Sequence, residues 1–419
     1  MSLKSFIEVS PDSHFPLENL PFGVFQPRQG KPRVGVAIGD LIIDLSALEE
    51  LGHFRSPEFQ NRKIFSEDSL NPFLAVGRSA WRKTRDILQQ LLSADTPTLR
   101  DDARLRERVF HPQKDVTMKL PARIGNYTDF YSSYYHAHNV GTMLRGAENA
   151  LMPNWKWLPV AYHGRASSIV VNGTDVRRPS GQTKAPDAAA PTFGPSKSFD
   201  FELEMAFLIG PGNSLGEPVS IDRAADHIFG LVLINDWSAR DIQAWEYQPL
   251  GPFLAKNFAT SISPWVVTLD ALEAFRKPLP PQDPDPLPYL RAKNDFTFDI
   301  QLEAQLQTSS TNAPHVITRT NFENLYWSIS QQLAHHTING CNLEPGDLLA
   351  SGTISGVTEE SRGCMLELTW RGANPMTLPN GETRKWLEDG DRLTITGWCQ
   401  GDGYRVGFGE VSGRILPAL

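Results

Sequence analysis

The sequence predicts a mainly β fold with a few helices. Glycine and proline number 32 each among 419 residues, and this many turn-forming residues favour short strands over long helices. The run 296–306 alternates apolar and polar residues throughout, which is typical of a strand with one buried face. Two further apolar runs, 33–38 and 41–45, flank Gly39-Asp40, a spacer that suits a tight hairpin because glycine adopts positive φ.

Helical spacing occurs in the N-terminal part, between about residues 73 and 92. Its apolar stripe consists of Trp81, Thr84, Ile87/Leu88 and Leu91. The charge-dense stretch 101–119 is interpreted as an exposed helix followed by a connector. We therefore predict a domain boundary near residue 118.

Beyond this boundary the pattern changes to short apolar runs, aromatic residues and glycine turns. The runs 169–172 and 231–234 are predicted strands, and the Pro-, Gly- and Ala-rich segment 179–195 a loop. Six prolines between residues 278 and 288 exclude a helix or an inner strand there, so an extended surface loop is expected. The helical spacing of 321–336 predicts a helix.

Charge and cysteine content exclude several classes of protein. A net charge of −8 argues against a general binder of nucleic acids or anionic membranes, which would be basic. Three cysteines without metal-finger spacing favour reduced thiols and a cytoplasmic location. The first residues lack the apolar segment of a signal peptide. The sequence also has no run of about 18 apolar residues, which a membrane-spanning helix would need.

Two glutamates alternate with apolar residues in the segment 201–207. On a strand, Glu202 and Glu204 share one face about 7 Å apart, a spacing at which two carboxylates can bind one hard cation. The alternative is an ordinary strand with one solvated face, which needs no metal.

A third carboxylate, Asp236, follows the apolar run 231–234. An aspartate at the end of a buried strand is held rigidly, which suits a metal ligand or a general base. The alternative is a helix N-cap, with Asp236 or Ser238 capping a turn that starts at Ala239.

Residues 126–138 combine four tyrosines, one aspartate and two histidines. Tyrosine hydroxyls and an imidazole suit a pocket for a small, oxygen-rich anion, and His136 or His138 could act as general base. A structural role for these histidines is the alternative. We discount a zinc site because no further His or Cys ligands lie nearby in the sequence.

Two glycine motifs are interpreted as turns. Residues 212–216 match G-x-S-x-G, but Gly210-Pro211 would break the preceding strand and no helical pattern follows. Residues 401–409 lack both a Walker lysine and G-x-G-x-x-G, so a turn leading into a strand is expected rather than a nucleotide loop.

Together these segments resemble the fumarylacetoacetate hydrolase family. The matching stretches are Tyr127 to Ser133, His136, Asn139 to Gly141, Leu158 to Ser168, Glu202 to Ala206, Asn235 to Ile242, Ser351 to Gly356 and Gly401 to Gly407. The resemblance implies a small SH3-like N-terminal barrel, residues 1–118, followed by a mixed catalytic β-roll, residues 119–419. It also implies a cytoplasmic homodimer that acts in tyrosine and phenylalanine catabolism on a small β-diketo acid, with neither nucleic acid nor membrane as a partner.

The resemblance further implies the cofactors Ca²⁺ and Mg²⁺. The calcium ligands would be Asp129, Glu202, Glu204 and Asp236. Magnesium near the same site would involve Thr260 and Lys256, the latter through its backbone carbonyl. Oxygen ligands of this kind suit Ca²⁺ or Mg²⁺ better than zinc.

The implied reaction is hydrolysis of the carbon–carbon bond of 4-fumarylacetoacetate. His136, oriented by Glu367, would take a proton from water, and Arg240, Gln243 and Lys256 would stabilise the oxyanion. The residues that would bind the carboxylates and keto groups of the substrate are Tyr131, Arg145, Tyr162, Gln243, Tyr247 and Thr353.

Two alternatives remain at this point. One is a related activity of the same superfamily, an acylpyruvate hydrolase or an oxaloacetate decarboxylase using the same cation. The full-length N-terminal domain disfavours this alternative, because those relatives are shorter. The other is a non-catalytic β-rich module that binds carbohydrate or a protein partner.

Overall fold

The computed structural model describes residues 3–59, 62–311 and 313–419. The N-terminal part contains short strands and helices in the order β1 Phe22–Pro27, β2 Arg33–Ile38, β3 Leu41–Asp44, α1 Leu45–Glu50, α2 Asn71–Val76, α3 Arg78–Leu92, α4 Pro97–Arg100, α5 Ala103–Val109, β4 Phe110–Pro112 and β5 Val116–Lys119.

The larger second part is mostly strands. Its elements are β6 Tyr127–Phe130, α6 Tyr134–Arg145, β7 Ala161–His163, β8 Ile169–Val171, β9 Val176–Arg177, β10 Ser180–Thr183, β11 Thr192–Pro195, β12 Phe199–Asp200, β13 Leu203–Ile209, β14 Ile228–Asp236, β15 Ser238–Ala239, α7 Arg240–Glu246, β16 Thr260–Ile262, β17 Val267–Thr268, α8 Leu269–Leu272, β18 Arg276–Pro278, β19 Phe296–Phe298, β20 Gln301–Gln307, β21 His315–Asn321, α9 Ile329–Thr337, β22 Leu348–Ala350, α10 Met365–Leu368, β23 Met376–Thr377, β24 Thr383–Arg384, β25 Arg392–Gln400 and β26 Arg405–Leu416. The predicted mainly β fold, an N-terminal β unit followed by a larger mixed β unit, is confirmed.

The N-terminal strands form one antiparallel sheet in the order β4-β3-β2-β1-β5. The predicted hairpin is confirmed: β2 pairs with β3, and Gly39 turns between them with φ +53°. The predicted helix over 73–92 is interrupted at Gly77, whose φ of +88° separates α2 from α3. The interpretation of 101–119 was wrong after residue 109, because β4 and β5 are strands of this sheet rather than a connector.

Two sheets dominate the second part. The larger has the order β7-β6-β22-β13-β14-β16-β8, with β17 also paired to β14, and the smaller the order β21-β20-β25-β26-β9. The central strands β13 and β14 are buried along their whole length. One face of these strands, which includes Met205 and Leu233, packs against the smaller sheet. The other face, which includes Ala206 and Val232, packs against the N-terminal part, so the large sheet is the middle layer.

Of the predictions for other segments, some are confirmed and others are wrong in part. The strands at 169–172 and 231–234 and the irregular proline segment are confirmed, whereas the predicted loop 179–195 contains the hairpin of β10 and β11. The alternating run 296–306 is divided into β19 and β20, although all its apolar positions are buried.

The helix predicted for 321–336 begins only at Ile329. Ser328 and Gln331 form a capping box that fixes this start, and Phe322 instead belongs to a short 3-10 turn. The turn predicted for 212–216 and the turn and strand predicted for 401–409 are confirmed. Within the parts of the chain that the structure describes, no helix has the length and apolar character needed to cross a membrane.

Candidate active site

Neighbouring strands of the large sheet bring four carboxylates to one place. Asp129 lies on β6, Glu204 on β13 and Asp236 at the last position of β14, while Glu202 immediately precedes β13. Along each strand these residues continue the face that packs on the N-terminal part, since side chains alternate between the two faces. One carboxylate oxygen from each residue lies within 4.8 Å of the others.

Burial of this acidic cluster, defined by Asp129, Glu202, Glu204 and Asp236, decides between the alternatives left by the sequence. All four residues are at most 5% exposed, so the interpretation of Glu202 and Glu204 as a solvated strand face was wrong. The N-cap interpretation of Asp236 and Ser238 was also wrong, because α7 begins at Arg240 with Ala239 at its N-cap position. The N-terminal part packs on the apolar residues of the same strand face, whereas Lys256, Thr260, Tyr162 and Arg240 of the second part lie against the carboxylates.

The electrostatics of the acidic cluster favour a bound cation. Burial and the neighbouring carboxylates raise the pKa of Asp129 and of Glu204 well above their ordinary values. Both side-chain oxygens of Glu204 and Oδ1 of Asp129 are buried and find no hydrogen-bond partner among the described residues. Oxygen atoms in this arrangement fit a hard divalent cation, which would satisfy these orphaned acceptors and offset their repulsion.

Asp236 is held in place by hydrogen bonds to both of its carboxylate oxygens. Its Oδ1 accepts a hydrogen bond from Oγ1 of Thr260 at 2.7 Å, and its Oδ2 accepts one from the hydroxyl of Tyr162 at 2.9 Å. Nζ of Lys256 lies 2.8 Å from the same Oδ2 and also pairs with Glu202. Burial acts to lower the pKa of Lys256, but Asp236 and Glu202 raise it above its ordinary value, so Nζ stays protonated and has no lone pair for a metal.

His136 lies in the first turn of α6, where its position depends on the cap. Oγ of Ser133, the N-cap residue, accepts a hydrogen bond from the His136 backbone N–H at 3.4 Å. Nδ1 of His136 lies 2.6 Å from Oε2 of Glu367 on α10. Two residues further along the helix, His138 faces another direction and stacks on Tyr134 with 5.7 Å between ring centroids. Of the two histidines, His136 is the one paired with a carboxylate.

Three side chains that the sequence analysis did not assign hold Glu367. Asn139 donates to its Oε1 at 2.8 Å, and Ser355 donates to its Oε2 at 2.8 Å. Sγ of Cys364 lies 3.2 Å from Oε2. Burial acts to raise the pKa of Glu367, but His136 and the hydrogen bonds from Asn139 and Ser355 lower it to about 2. Glu367 is therefore a fixed anion that orients the imidazole.

Arg240 presents one nitrogen that other groups leave free. Its Nη1 lies 2.8 Å from Oε1 of Glu202 and 3.1 Å from Oε1 of Gln243, and its Nε lies 2.8 Å from Oδ2 of Asp200. Its Nη2 is buried and finds no partner within the described ranges. Burial acts to lower the pKa of Arg240, but Glu202 and Asp200 raise it well above its ordinary value. A permanent charge with a free donor suits an oxyanion.

The residues predicted to bind substrate fall into an inner and an outer group. In the inner group, Tyr131 packs edge-on against His136 with 5.3 Å between ring centroids, Tyr162 bonds to Asp236, and Oγ1 of Thr353 is buried without a described partner. In the outer group, Arg145 is exposed at the end of α6 and donates to backbone carbonyls, while Tyr247 directly follows α7 as its C-cap residue.

Comparison with known proteins finds relatives along almost the whole chain. Family models match residues 18–121, described as fumarylacetoacetase N-terminal, and residues 126–415, described as fumarylacetoacetate hydrolase C-terminal. The chain is 58% identical to a protein named fumarylacetoacetase from Arabidopsis thaliana and 57% identical to one so named from Homo sapiens, each over 99% of both chains.

A solved structure of a fumarylacetoacetate hydrolase from Exiguobacterium antarcticum shares the fold, with a TM-score of 0.54 at 17% identity, covering 95% of this chain and 99% of that one. These observations define the class of protein: a β-sheet enzyme with a buried carboxylate cluster beside a His–Glu pair. The chain belongs to the fumarylacetoacetate hydrolase family.

Proposed function

We propose that this chain hydrolyses fumarylacetoacetate to fumarate and acetoacetate, the last step of tyrosine and phenylalanine catabolism. The observation that carries the proposal is the His136–Glu367 pair beside the acidic cluster, in a chain 57–58% identical to proteins named fumarylacetoacetase. The substrate is thus a small organic anion rather than a macromolecule.

The acidic cluster would hold the divalent cation, Ca²⁺ in our proposal. A nearby Mg²⁺ would use Thr260 and the backbone carbonyl of Lys256, since the ammonium of that lysine is protonated. When bound, the cation supplies Lewis-acid polarisation of the two keto oxygens of the substrate.

His136 would be the general base. Its Nδ1 is engaged by Glu367, so Nε2 is the nitrogen left to take a proton from water. The resulting hydroxide attacks the keto carbon next to the fumaryl double bond. This is the base-and-orienter arrangement of a catalytic triad, with water in the place of the serine nucleophile.

Arg240 would donate from Nη2 to the oxyanion of the tetrahedral intermediate, with Gln243 and the ammonium of Lys256 assisting. Collapse of this intermediate breaks the bond to the methylene carbon. The electron pair goes to the enolate of acetoacetate, which is then protonated by the imidazolium of His136, and the water oxygen remains in the new carboxylate of fumarate.

The substrate carboxylates and keto groups would contact Tyr131, Tyr162 and Thr353 in the inner group. Arg145 and Tyr247 would complete the site at its outer edge.

The proposal includes a division into domains 1–118 and 119–419, a homodimer and a cytoplasmic location. The separate N-terminal sheet, which ends at Lys119, supports the division. Three cysteines outside any disulfide, among the residues described, support a reducing compartment.

A substrate panel tests the function. The purified protein is incubated with fumarylacetoacetate, an acylpyruvate or oxaloacetate, with and without a chelator, and loss of diketone absorbance and product formation are followed. We expect metal-dependent turnover of fumarylacetoacetate. Turnover of acylpyruvate or oxaloacetate alone would replace the proposal by the related activity. The absence of any turnover, with ligand binding that survives H136A, would indicate a non-catalytic module.

A further inference from the structure

Asp200 is a buried carboxylate that lies between two parts of the site. Its Oδ2 accepts hydrogen bonds from Nε of Arg240 at 2.8 Å and from the backbone N–H of Leu366 at 3.0 Å. Its Oδ1 accepts hydrogen bonds from the backbone N–H of Met365 at 2.7 Å and from that of the residue following Asp200 at 2.8 Å. One carboxylate therefore links Arg240 to the first turn of α10, which carries Glu367.

The hydrogen bonds of Asp200 distinguish it from the residues that meet substrate or metal. A carboxylate offers about four acceptor positions, and four donors already occupy those of Asp200. The side chain is completely buried and has no acceptor position left for a ligand. Its influence on the reaction must pass through the groups it holds.

Asp200 determines which nitrogen of Arg240 is free. The guanidinium is planar, so fixing Nε on Asp200 and Nη1 on Glu202 and Gln243 also fixes the direction of Nη2. The same carboxylate holds the backbone one and two residues before Glu367, whose Oε2 must stay within hydrogen-bond distance of His136.

We propose that Asp200 is a positioning residue, which aims Arg240 at the oxyanion and keeps Glu367 in place against His136. This inference deepens the proposed function and rests on it. Glu202 and Glu204 bind the cation in that function, whereas Asp200, two residues earlier on the chain, organises the proton-transfer and oxyanion groups.

Asp200→Asn tests the role with little change in shape. A carboxamide has one acceptor oxygen and turns its NH₂ group towards the donors of the other oxygen. It can therefore keep at most two of the four hydrogen bonds of Asp200, and it removes the negative charge that faces Arg240. We expect kcat to fall roughly 10- to 100-fold, the range for losing a charged hydrogen bond, with a smaller change in KM and unchanged bound metal.

Rescue by guanidinium separates positioning from general damage. In R240A, added guanidinium ion at non-denaturing concentration should restore part of the activity, because Asp200 can anchor it. In R240A/D200N the rescue should be lost. R240A/D44N is the matched control: Asp44 is also a buried carboxylate that accepts from an arginine Nε and a backbone N–H, but it lies in the N-terminal sheet. Its rescue should equal that of R240A.

The inference would be overturned if D200N had the kcat of the wild type, or if guanidinium rescued R240A and R240A/D200N equally. Either result would leave the proposed hydrolysis of fumarylacetoacetate intact. If the wild-type protein does not hydrolyse fumarylacetoacetate, the proposed function fails separately. The crystal structure of D200N then decides the inference. We expect displaced Arg240 and Glu367 side chains, and unchanged positions of both would overturn it.

Discussion

Nδ1 of His136 lies 2.6 Å from Oε2 of Glu367, although 231 positions separate the two residues in the chain. The N-terminal turn of α6 places the histidine, and the short helix α10 places the glutamate. Asn139 and Ser355 fix the carboxylate from its other sides. A carboxylate held in this way keeps one imidazole tautomer and stabilises the imidazolium formed during proton transfer.

Replacing the carboxylate of Glu367 should impair proton transfer. In E367Q we expect kcat to fall by roughly 10²- to 10⁴-fold, the range for loss of general-base catalysis, with little change in KM. Steady-state kinetics on fumarylacetoacetate provide the measurement. E303Q is a suitable control, because Glu303 is also a buried glutamate with a basic partner, here Arg319, but it lies on β20, away from His136. Equal kcat in E367Q and E303Q would contradict the role of Glu367.

Glu367 should also contribute to the free energy of unfolding in a way that depends on pH. Its pKa falls from an ordinary 4.5 to about 2 in the folded protein, so the unfolded chain binds the extra proton between these values. Folding is therefore favoured above pH 4.5 by on the order of 3 kcal/mol, and this advantage is lost as pH falls towards 2.

Urea unfolding of wild type and E367Q checks this pH dependence. The difference in the free energy of unfolding should be constant near neutral pH and should shrink as pH is lowered below 4.5. A difference that grows on acidification would show that the carboxylate is not stabilised as an anion.

The mutual repulsion of the acidic cluster should lower the free energy of unfolding of the metal-free protein. Both carboxylate oxygens of Glu204 are buried and find no partner in the part of the chain that is described. E204Q should therefore raise the free energy of unfolding in chelator by roughly 1–3 kcal/mol, because it removes a buried acid from a group of like charges. In the presence of Ca²⁺ the variant should lose bound metal, measured by elemental analysis.

D236A serves as the companion variant, since it should also abolish stoichiometric metal. Unlike E204Q, it also removes the partner of Lys256, Thr260 and Tyr162, so the metal-free protein should become less stable. Retained stoichiometric metal in either variant would refute the ligand set.

The Tyr162 hydroxyl should tune metal affinity without binding metal itself. It donates to Oδ2 of Asp236 at 2.9 Å, and loss of such an outer contact lowers metal affinity by roughly 10- to 100-fold. Calorimetric titration of Y162F with Ca²⁺ should show this loss. Y134F offers the comparison, because Tyr134 stacks on His138 on the α6 helix and should leave the affinity unchanged. An unchanged dissociation constant in Y162F would contradict the contact's role.

The sequence identified the carboxylates but not their surroundings. Alternation of Glu202 and Glu204 with apolar residues fits either a wet strand face or a metal site, because the pattern does not say what covers that face. The neighbours that bury the two glutamates, among them Arg240 and Lys256, come from other segments of the chain, and local periodicity cannot reveal such contacts. Only the family resemblance joined these carboxylates to Asp129 and Asp236 as one site.

Some signals were available in the sequence and were missed. Asp200, Glu202 and Glu204 stand at alternate positions in the sequence, so Asp200 could have been considered together with the two glutamates. Ser328 and Gln331 form a capping box that marks the true start of α9. The partners of Glu367, by contrast, come from α6 and from the segment after β22, and no local pattern brings Asn139 and Ser355 together.

The most direct test compares product formation by wild type and H136Q at equal bound metal. Wild type should convert fumarylacetoacetate to fumarate and acetoacetate in a one-to-one ratio, and H136Q should do so roughly 10²- to 10⁴-fold more slowly while keeping its cation. Product formation by H136Q at the wild-type rate, or no fumarate from metal-loaded wild type, would contradict a reaction that depends on water activated by His136.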